Sequence, residues 1–130
     1  MWRVVFVLLF LGANAFAQSG PKRIDFTTVL KTPDDTPLLD CADEIPNPND
    51  CKVIRPLTLG IAVYKALTMP EQGLTPEVSW KRGHLGYILY KDTDATLTAE
   101  DIATIKTQLA KRWGPAVTAQ AFPLLDPAQK

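Results

Sequence analysis

The sequence is poor in the residues that most often carry out catalysis. It holds one histidine, His84, and two cysteines among 130 residues. Any Ser-His or Cys-His mechanism would have to use His84, and no G-x-S-x-G turn supplies a serine nucleophile. The chain also has no zinc-type spacing of cysteine and histidine and no phosphate-binding glycine loop. The sequence therefore predicts a protein that is not an enzyme and that uses neither a metal ion nor another cofactor.

Neither sign of charge is in excess, because 14 basic residues balance 14 acidic residues. A balanced chain has no electrostatic reason to bind nucleic acid or an anionic membrane surface. The pattern of Gly83 and Gly86 matches the G-x-x-G loop of KH modules, but four-residue patterns with two glycines often arise by chance. We predict no nucleic-acid partner.

Long apolar runs are absent except at the amino terminus. Arg3 precedes residues 4–11, which have no polar side chain, and residues 15–17 have the Ala-Phe-Ala form of a signal-peptidase site. An uncleaved anchor is disfavoured, because the run is shorter than the roughly 18 to 20 residues that span a bilayer. The pattern predicts a cleaved signal peptide, export to the periplasm or the medium, and no stable membrane insertion after cleavage.

The remaining chain is long enough for one domain with a modest core. We expect a signal peptide at residues 1–17 and a single globular domain at residues 18–130. Within that domain, residues 18–22 should form a flexible leader and residues 126–130 a frayed tail.

Both cysteines, Cys41 and Cys51, lie in the exported part. In an oxidising compartment a pair ten positions apart predicts a disulfide, which contributes about 2 to 3 kcal/mol for so short a loop. The loop from Asp40 to Asp50 is rich in carboxylate and amide oxygens, so calcium binding is an open alternative. No calcium-loop spacing is present, however, which favours a solvated loop.

The first folded segment alternates apolar and polar residues, as Ile24, Phe26 and Leu30 do with their neighbours. This period predicts a half-buried strand. Residues 32–37, Thr-Pro-Asp-Asp-Thr-Pro, have the composition of a turn, and Leu38 can begin a return strand. The segment predicts a β-hairpin.

The clearest helix signals lie at residues 98–113. Thr98 can cap the helix and Asp101 follows at the capping-box position, while Gly114 and a proline end it. Ile102, Ile105, Leu109 and Trp113 form one apolar stripe. We expect this helix at the centre of the packing.

Three further segments have weaker helix signals. Residues 58–69 begin with a threonine cap and stop before Pro70, and a short last helix can start at Pro115. A helix over residues 75–90 is weakened by two glycines, so Gly86 to Tyr90 could instead form a strand. Together the segments predict an α+β fold: an N-terminal β-hairpin followed by three or four short packed helices, with one disulfide.

The helix at residues 75–90 carries the residue types that are enriched where proteins dock. The predicted binding residues are Trp80, Lys81, Arg82, His84 and Tyr87. The alternative for the aromatic residues, and the commoner role of such residues, is ordinary core packing. The alternative role of His84 is that of an ordinary surface residue in a basic stretch.

These features favour an exported, non-enzymatic binding or accessory protein of the bacterial envelope, whose partner is another protein. The alternative is a small exported hydrolase that uses His84 or a pair of carboxylates. A deep pocket lined by His84 and two carboxylates would favour that alternative.

Two stretches resemble small uncharacterised proteins of tailed phages and prophages. They are Thr58-Leu59-Gly60 at a helix start and Leu97-Thr98-Ala99-Glu100-Asp101-Ile102 at another, followed by a Trp-Gly-Pro turn. The resemblance covers about residues 24–127 and implies a prophage origin, with a phage assembly or lysis accessory role as a third hypothesis. The signal peptide and the cysteine pair depart from that group.

Overall fold

The computed structural model describes residues 23–42 and 48–126. Four helices and two small antiparallel strand pairs confirm the predicted α+β class. The predicted signal peptide, the leader and residues 127–130 lie outside the described residues. In chain order the elements are β1 (Arg23–Ile24), β2 (Leu39–Cys41), a 3-10 turn (Pro48–Asp50), β3 (Ile54–Pro56), α1 (Leu59–Leu67), α2 (Pro76–Leu89), β4 (Ala95–Thr96), α3 (Ala99–Arg112) and α4 (Pro115–Leu125).

The central helix is α1, which packs against both α2 and α3, while α4 packs against α3. The prediction that residues 98–113 lie at the centre is therefore wrong. A helix that is apolar on nearly all sides is buried by its neighbours, whereas an amphipathic helix packs with one stripe. The buried residues of α1 are Leu59, Gly60, Ile61, Ala62, Val63, Ala66 and Leu67.

The start of α1 is held by the N-terminal segment. The backbone N–H groups of Leu59 and Gly60 donate to the carbonyls of Thr28 and Phe26, at 2.8 and 2.7 Å. These donors have no partner within a helix, so the extended chain satisfies them. A Cβ on Gly60 would lie 2.9 Å from the Tyr90 carbonyl carbon and closer still to its oxygen. Only glycine permits this close approach of α1 to the end of α2.

Burial in the N-terminal segment alternates as predicted, with Ile24, Phe26 and Leu30 buried, but the predicted strand is limited to β1 and a turn follows at residues 26–27. Its first two residues, β1, pair antiparallel with β4. The predicted turn over residues 32–37 is present, and an isolated bridge joins Lys31 to Pro37 across it. The predicted hairpin is thus short, and the returning chain continues into β2.

The second strand pair, β2 with β3, was not predicted. Its register places Asp40 opposite Arg55 and Cys41 opposite Ile54. The predicted disulfide is confirmed: Cys41 and Cys51 are bonded with their Cα atoms 5.9 Å apart. The disulfide therefore closes the loop between these two strands.

The helices begin at their predicted caps. Thr58, Thr75 and Thr98 each accept a hydrogen bond from a backbone N–H in the first turn of α1, α2 and α3. Helix α2 continues through both glycines to Leu89, so the alternative strand at its end is wrong. A Cβ added at Gly86 would lie at ordinary van der Waals distance from the side chains of Tyr64 and Leu67, so α2 packs against α1 at this position. Within the two described ranges, no helix has the length and apolar character needed to cross a membrane.

Candidate functional site

Several large apolar side chains of α2 are left in solvent. Trp80 is 65% exposed, Tyr87 71% and Ile88 52%, while Gly86 and Leu89 are the buried residues of the helix. The expectation that these aromatic residues are ordinary core is therefore wrong for Trp80 and Tyr87. The side of α2 that carries Gly86 and Leu89 packs against α1, so the side that carries the aromatic residues is left exposed to solvent. We call Trp80, His84, Tyr87 and Ile88 the outer face.

Trp80 and His84 stack on one another along the outer face. Their ring centroids are 4.7 Å apart and their planes differ by 10°. Residues four apart on a helix are neighbours, so the sequence spacing allows this contact. The stack fixes the orientation of two exposed rings and presents them as one surface.

A groove of about 450 Å³ separates the outer face from the first turns of α3. The wall from α2 combines apolar side chains with Lys81, Arg82 and His84, and the wall from α3 carries the acids Glu100 and Asp101. Four of the five predicted binding residues line it, and Tyr87 does not. The lining residues are Val78, Trp80, Lys81, Arg82, His84, Leu85, Ile88, Glu100, Asp101 and Thr104.

Arg82 has a different environment from Lys81 and His84. Its guanidinium pairs with Glu71 at 2.6 Å, and only 19% of its side chain is exposed. Lys111 of α3 binds the other Glu71 oxygen at 2.7 Å. These two hydrogen bonds lower the pKa of Glu71, and the bond from Lys111 has the larger effect. Partial burial of the carboxylate opposes this shift. The predicted basic stretch is therefore divided: Arg82 ties α2 to the loop before it, and Lys81 is left on the exposed side.

A second concave site lies at the other end of α2 and was missed from the sequence. Tyr64 of α1 makes edge-to-face contacts with Tyr87 and with Tyr90, each at 5.3 Å between ring centroids. This tyrosine pocket has a volume of about 370 Å³. It is lined by Ala42, Arg55, Tyr64, Lys65, Tyr87 and Tyr90.

Behind the tyrosine pocket lies a buried carboxylate, Asp40, whose side chain is 5% exposed. Its oxygens bind Lys65 Nζ at 2.6 Å and Arg55 Nε at 3.0 Å. Lys65 also donates to the Cys41 carbonyl at 3.0 Å, and Arg55 Nη1 donates to the Tyr90 hydroxyl at 2.7 Å. Two cations therefore share one acid, and both cations line the pocket.

The role of Asp40 could not be read from its position in an acidic loop. Its partner Arg55 lies directly opposite in the antiparallel register, where oppositely charged pairs are favourable. That register depends on the disulfide and on strand pairing across the loop. The carboxylate is bound by two cations, so it is not free to act as a calcium ligand in the loop from Asp40 to Asp50, of which residues 43–47 lie outside the described part.

His84 shares the groove with two carboxylates, the arrangement that favours a hydrolase. Its ring, however, stacks on Trp80, and within the described part of the chain no acid is ion-paired with it. Among residues 23–42 and 48–126, no group of three or more His, Cys, Asp or Glu is placed to hold a metal ion.

Comparison with family models, curated proteins and solved structures finds no match to this chain. The resemblance to phage-encoded proteins stays a prediction.

Proposed function

We propose that this chain is an exported, non-enzymatic binding protein of the bacterial envelope. It docks another protein on the outer face of α2 and in the adjoining groove. The observation that carries this proposal is the exposure of Trp80, Tyr87 and Ile88 together on one helix. Contiguous exposed apolar surface rimmed by polar residues is typical of interaction sites.

The surface has the residue types and the shape of a docking site. Aromatic side chains are enriched among residues that dominate binding energy, and the stacked Trp80 and His84 present such an anchor without needing to be ordered on binding. The groove lies between two helices, and grooves of this kind bind the apolar side of a partner helix. Glu100 and Asp101 on its far wall favour a partner that places a basic residue there.

Export is supported by the disulfide. Cys41 and Cys51 are bonded in the structure, and such bonds persist in oxidising compartments. In the periplasm, the proteins available to bind the outer face are envelope proteins.

The proposal is tested by affinity capture from an envelope extract of the source organism. The bait is the disulfide-bonded protein, the site variant is Trp80→Ala with Ile88→Ala, and the matched control is Leu39→Ala. Leu39 is as exposed as Trp80, at 66% against 65%, but lies on β2. We expect at least one envelope protein that the native chain and the control retain and the site variant loses.

Two results would contradict the proposal. One is capture of the same proteins by the site variant and the native chain. The other is a captured set that changes with Leu39→Ala but not with the substitutions on α2. Light scattering of the purified protein identifies the case in which the partner is a second copy of the chain.

The alternative function, a small exported hydrolase, is favoured by one observation. The groove brings His84 together with Glu100 and Asp101. A histidine near a carboxylate can serve as a general base once substrate draws them together. Turnover of a peptide, glycan or ester substrate that His84→Ala abolishes, while circular dichroism is unchanged, would establish this function in place of docking.

A further inference from the structure

We propose that the tyrosine pocket is a separate ligand site, which binds an anionic group attached to an aromatic or apolar body. This inference goes beyond the docking function and does not depend on it. The site is formed by α1, the end of α2 and the β2–β3 pair rather than by the α2–α3 groove.

The walls of the pocket suit an aromatic or apolar body. Three tyrosine rings, Tyr64, Tyr87 and Tyr90, meet edge to face around a cavity of about 370 Å³. Small-molecule sites are concave, have mainly aromatic or apolar walls and carry a few converging polar groups. The volume is within the range of such sites and takes one ring with a short substituent.

The charge of the lining selects the sign of the ligand. Arg55 and Lys65 both line the cavity, and among the described residues of its lining none is acidic, since Asp40 lies behind the two cations. Lys91, which is not among the described lining residues, lies with its Nζ 6.0 Å from the centre of the Tyr90 ring. A cationic group would meet like charges on Arg55 and Lys65, whereas a carboxylate or phosphate would meet complementary charges on these two side chains.

The donors of the lining are only partly used by the protein. Arg55 has five N–H groups, of which one binds Asp40 and one binds the Tyr90 hydroxyl. Lys65 uses two of its three N–H groups, on Asp40 and on the Cys41 carbonyl. Within the described residues, the remaining N–H groups have no acceptor. In the proposed complex, the anionic group of the ligand accepts hydrogen bonds from these N–H groups.

The cations are also held in place before any ligand binds. Asp40 is buried and bonds both Lys65 and Arg55, and the disulfide of Cys41 fixes the strand that carries Asp40. A site whose donors are already oriented loses less entropy on binding. The buried carboxylate therefore serves to position two cations at the base of an aromatic cavity.

The experiment is an NMR titration of the disulfide-bonded protein with benzoate at low salt. We expect saturable shifts of the Tyr64, Tyr87 and Tyr90 ring signals and of the Arg55 side chain. Acetate and inorganic phosphate, which lack the ring, should bind about tenfold more weakly. Benzylamine, which has the ring and the opposite charge, should give no saturable shift at these residues. Raising the salt concentration should weaken benzoate binding.

Two variants control for folding. Tyr87→Ala should weaken benzoate binding about tenfold, because it removes one wall. Trp80→Ala, also an exposed aromatic residue of α2 but outside the pocket, should leave it unchanged. A peptide that ends in phenylalanine with a free carboxylate is compared with the same peptide ending in an amide. Tighter binding of the free carboxylate than of benzoate would identify a chain terminus, rather than a small molecule, as the source of the anion.

The proposal is overturned if benzoate gives no saturable shift or shifts only residues outside the pocket. It is also overturned if benzylamine binds as tightly as benzoate, or if Trp80→Ala weakens binding as much as Tyr87→Ala. The docking proposal is tested with other variants, Trp80→Ala with Ile88→Ala, and by another readout, the loss of a captured protein. Either proposal can therefore fail while the other holds.

Discussion

Three glycines of the helices have different roles, although the sequence presents them alike. A Cβ added at Gly60 would meet the Tyr90 backbone, one at Gly86 would meet the side chains of α1, and one at Gly83 would meet no atom within 4 Å. The cost of glycine in a helix is the same at each position, so the surroundings decide the effect of a methyl group.

We predict that Gly83→Ala raises the free energy of unfolding by about 0.5 to 1 kcal/mol, because a Cβ there meets no atom and glycine is a poor helix former. Gly60→Ala should lower it by about 3 kcal/mol or more, because the backbone of Tyr90 must move. Urea denaturation of the two variants measures both effects. Equal effects of the two substitutions would contradict the described contact between α1 and the end of α2.

The buried carboxylate gives a second prediction. Asp40→Ala should lower the free energy of unfolding by about 3 to 5 kcal/mol, because Lys65 and Arg55 lose their shared partner in a largely buried setting. Asp34→Ala, an acid on the exposed turn, is the matched control and should change stability by less than about 0.5 kcal/mol. Similar midpoints in urea for the two variants would show that Asp40 is not buried between cations.

The helices could be predicted because their signals are local. Thr58, Thr75 and Thr98 cap the helices that were expected at these positions, and each cap needs only its own first turn. The pairing of β2 with β3 could not be predicted, because it joins residues on either side of a loop. Likewise, the period of α2 does not say which side is covered, so the exposure of Trp80 depended on the position of α1.

The connection between α2 and α3 should be sensitive to pH. Hydrogen bonds from Lys111 and Arg82 hold the pKa of Glu71 below its ordinary value of 4.5. Since the folded-state pKa is the lower one, the stabilisation is complete above about pH 4.5 and is lost as the pH falls through the folded-state value. We expect Glu71→Gln to lose less stability than the native chain as the pH falls below about 4.5.

Urea denaturation at several pH values measures the effect of Glu71→Gln. Asp34→Asn is the control, since this exposed acid forms no ion pair within the described residues, and it should keep the native dependence on pH. An unchanged acid-side slope in Glu71→Gln would contradict the role given to the Glu71 ion pairs.

The disulfide closes the loop between β2 and β3, so we expect it to stabilise this strand pair more than the helices. We predict that replacing Cys41 and Cys51 with serine lowers the free energy of unfolding by about 2 to 3 kcal/mol, the value for a loop closed over ten positions. Hydrogen exchange should rise in β2 and β3, whereas α1 and α3 keep their relative protection. Uniform loss of protection across the helices would show that the fold as a whole depends on the disulfide.

The residues that form the core differ from those that form the two proposed binding surfaces. The core is built around α1, with the extended N-terminal segment at its start and α2 and α3 on its sides. The outer face and the tyrosine pocket share Tyr87 and otherwise use different residues, and the exposed Trp80 and Tyr87 are not part of that core. Substitutions at Trp80 or Tyr87 should therefore alter binding without unfolding the protein.

If a partner protein covers the outer face of α2, the backbone amides beneath it should exchange more slowly. Hydrogen exchange followed by mass spectrometry, on the disulfide-bonded protein alone and with the captured envelope protein, measures this effect. We expect slower exchange in α2 and in the first turns of α3, with exchange in β2 and β3 unchanged. Protection confined to β2 and β3, or no protection of α2 in the complex, would contradict the docking proposal.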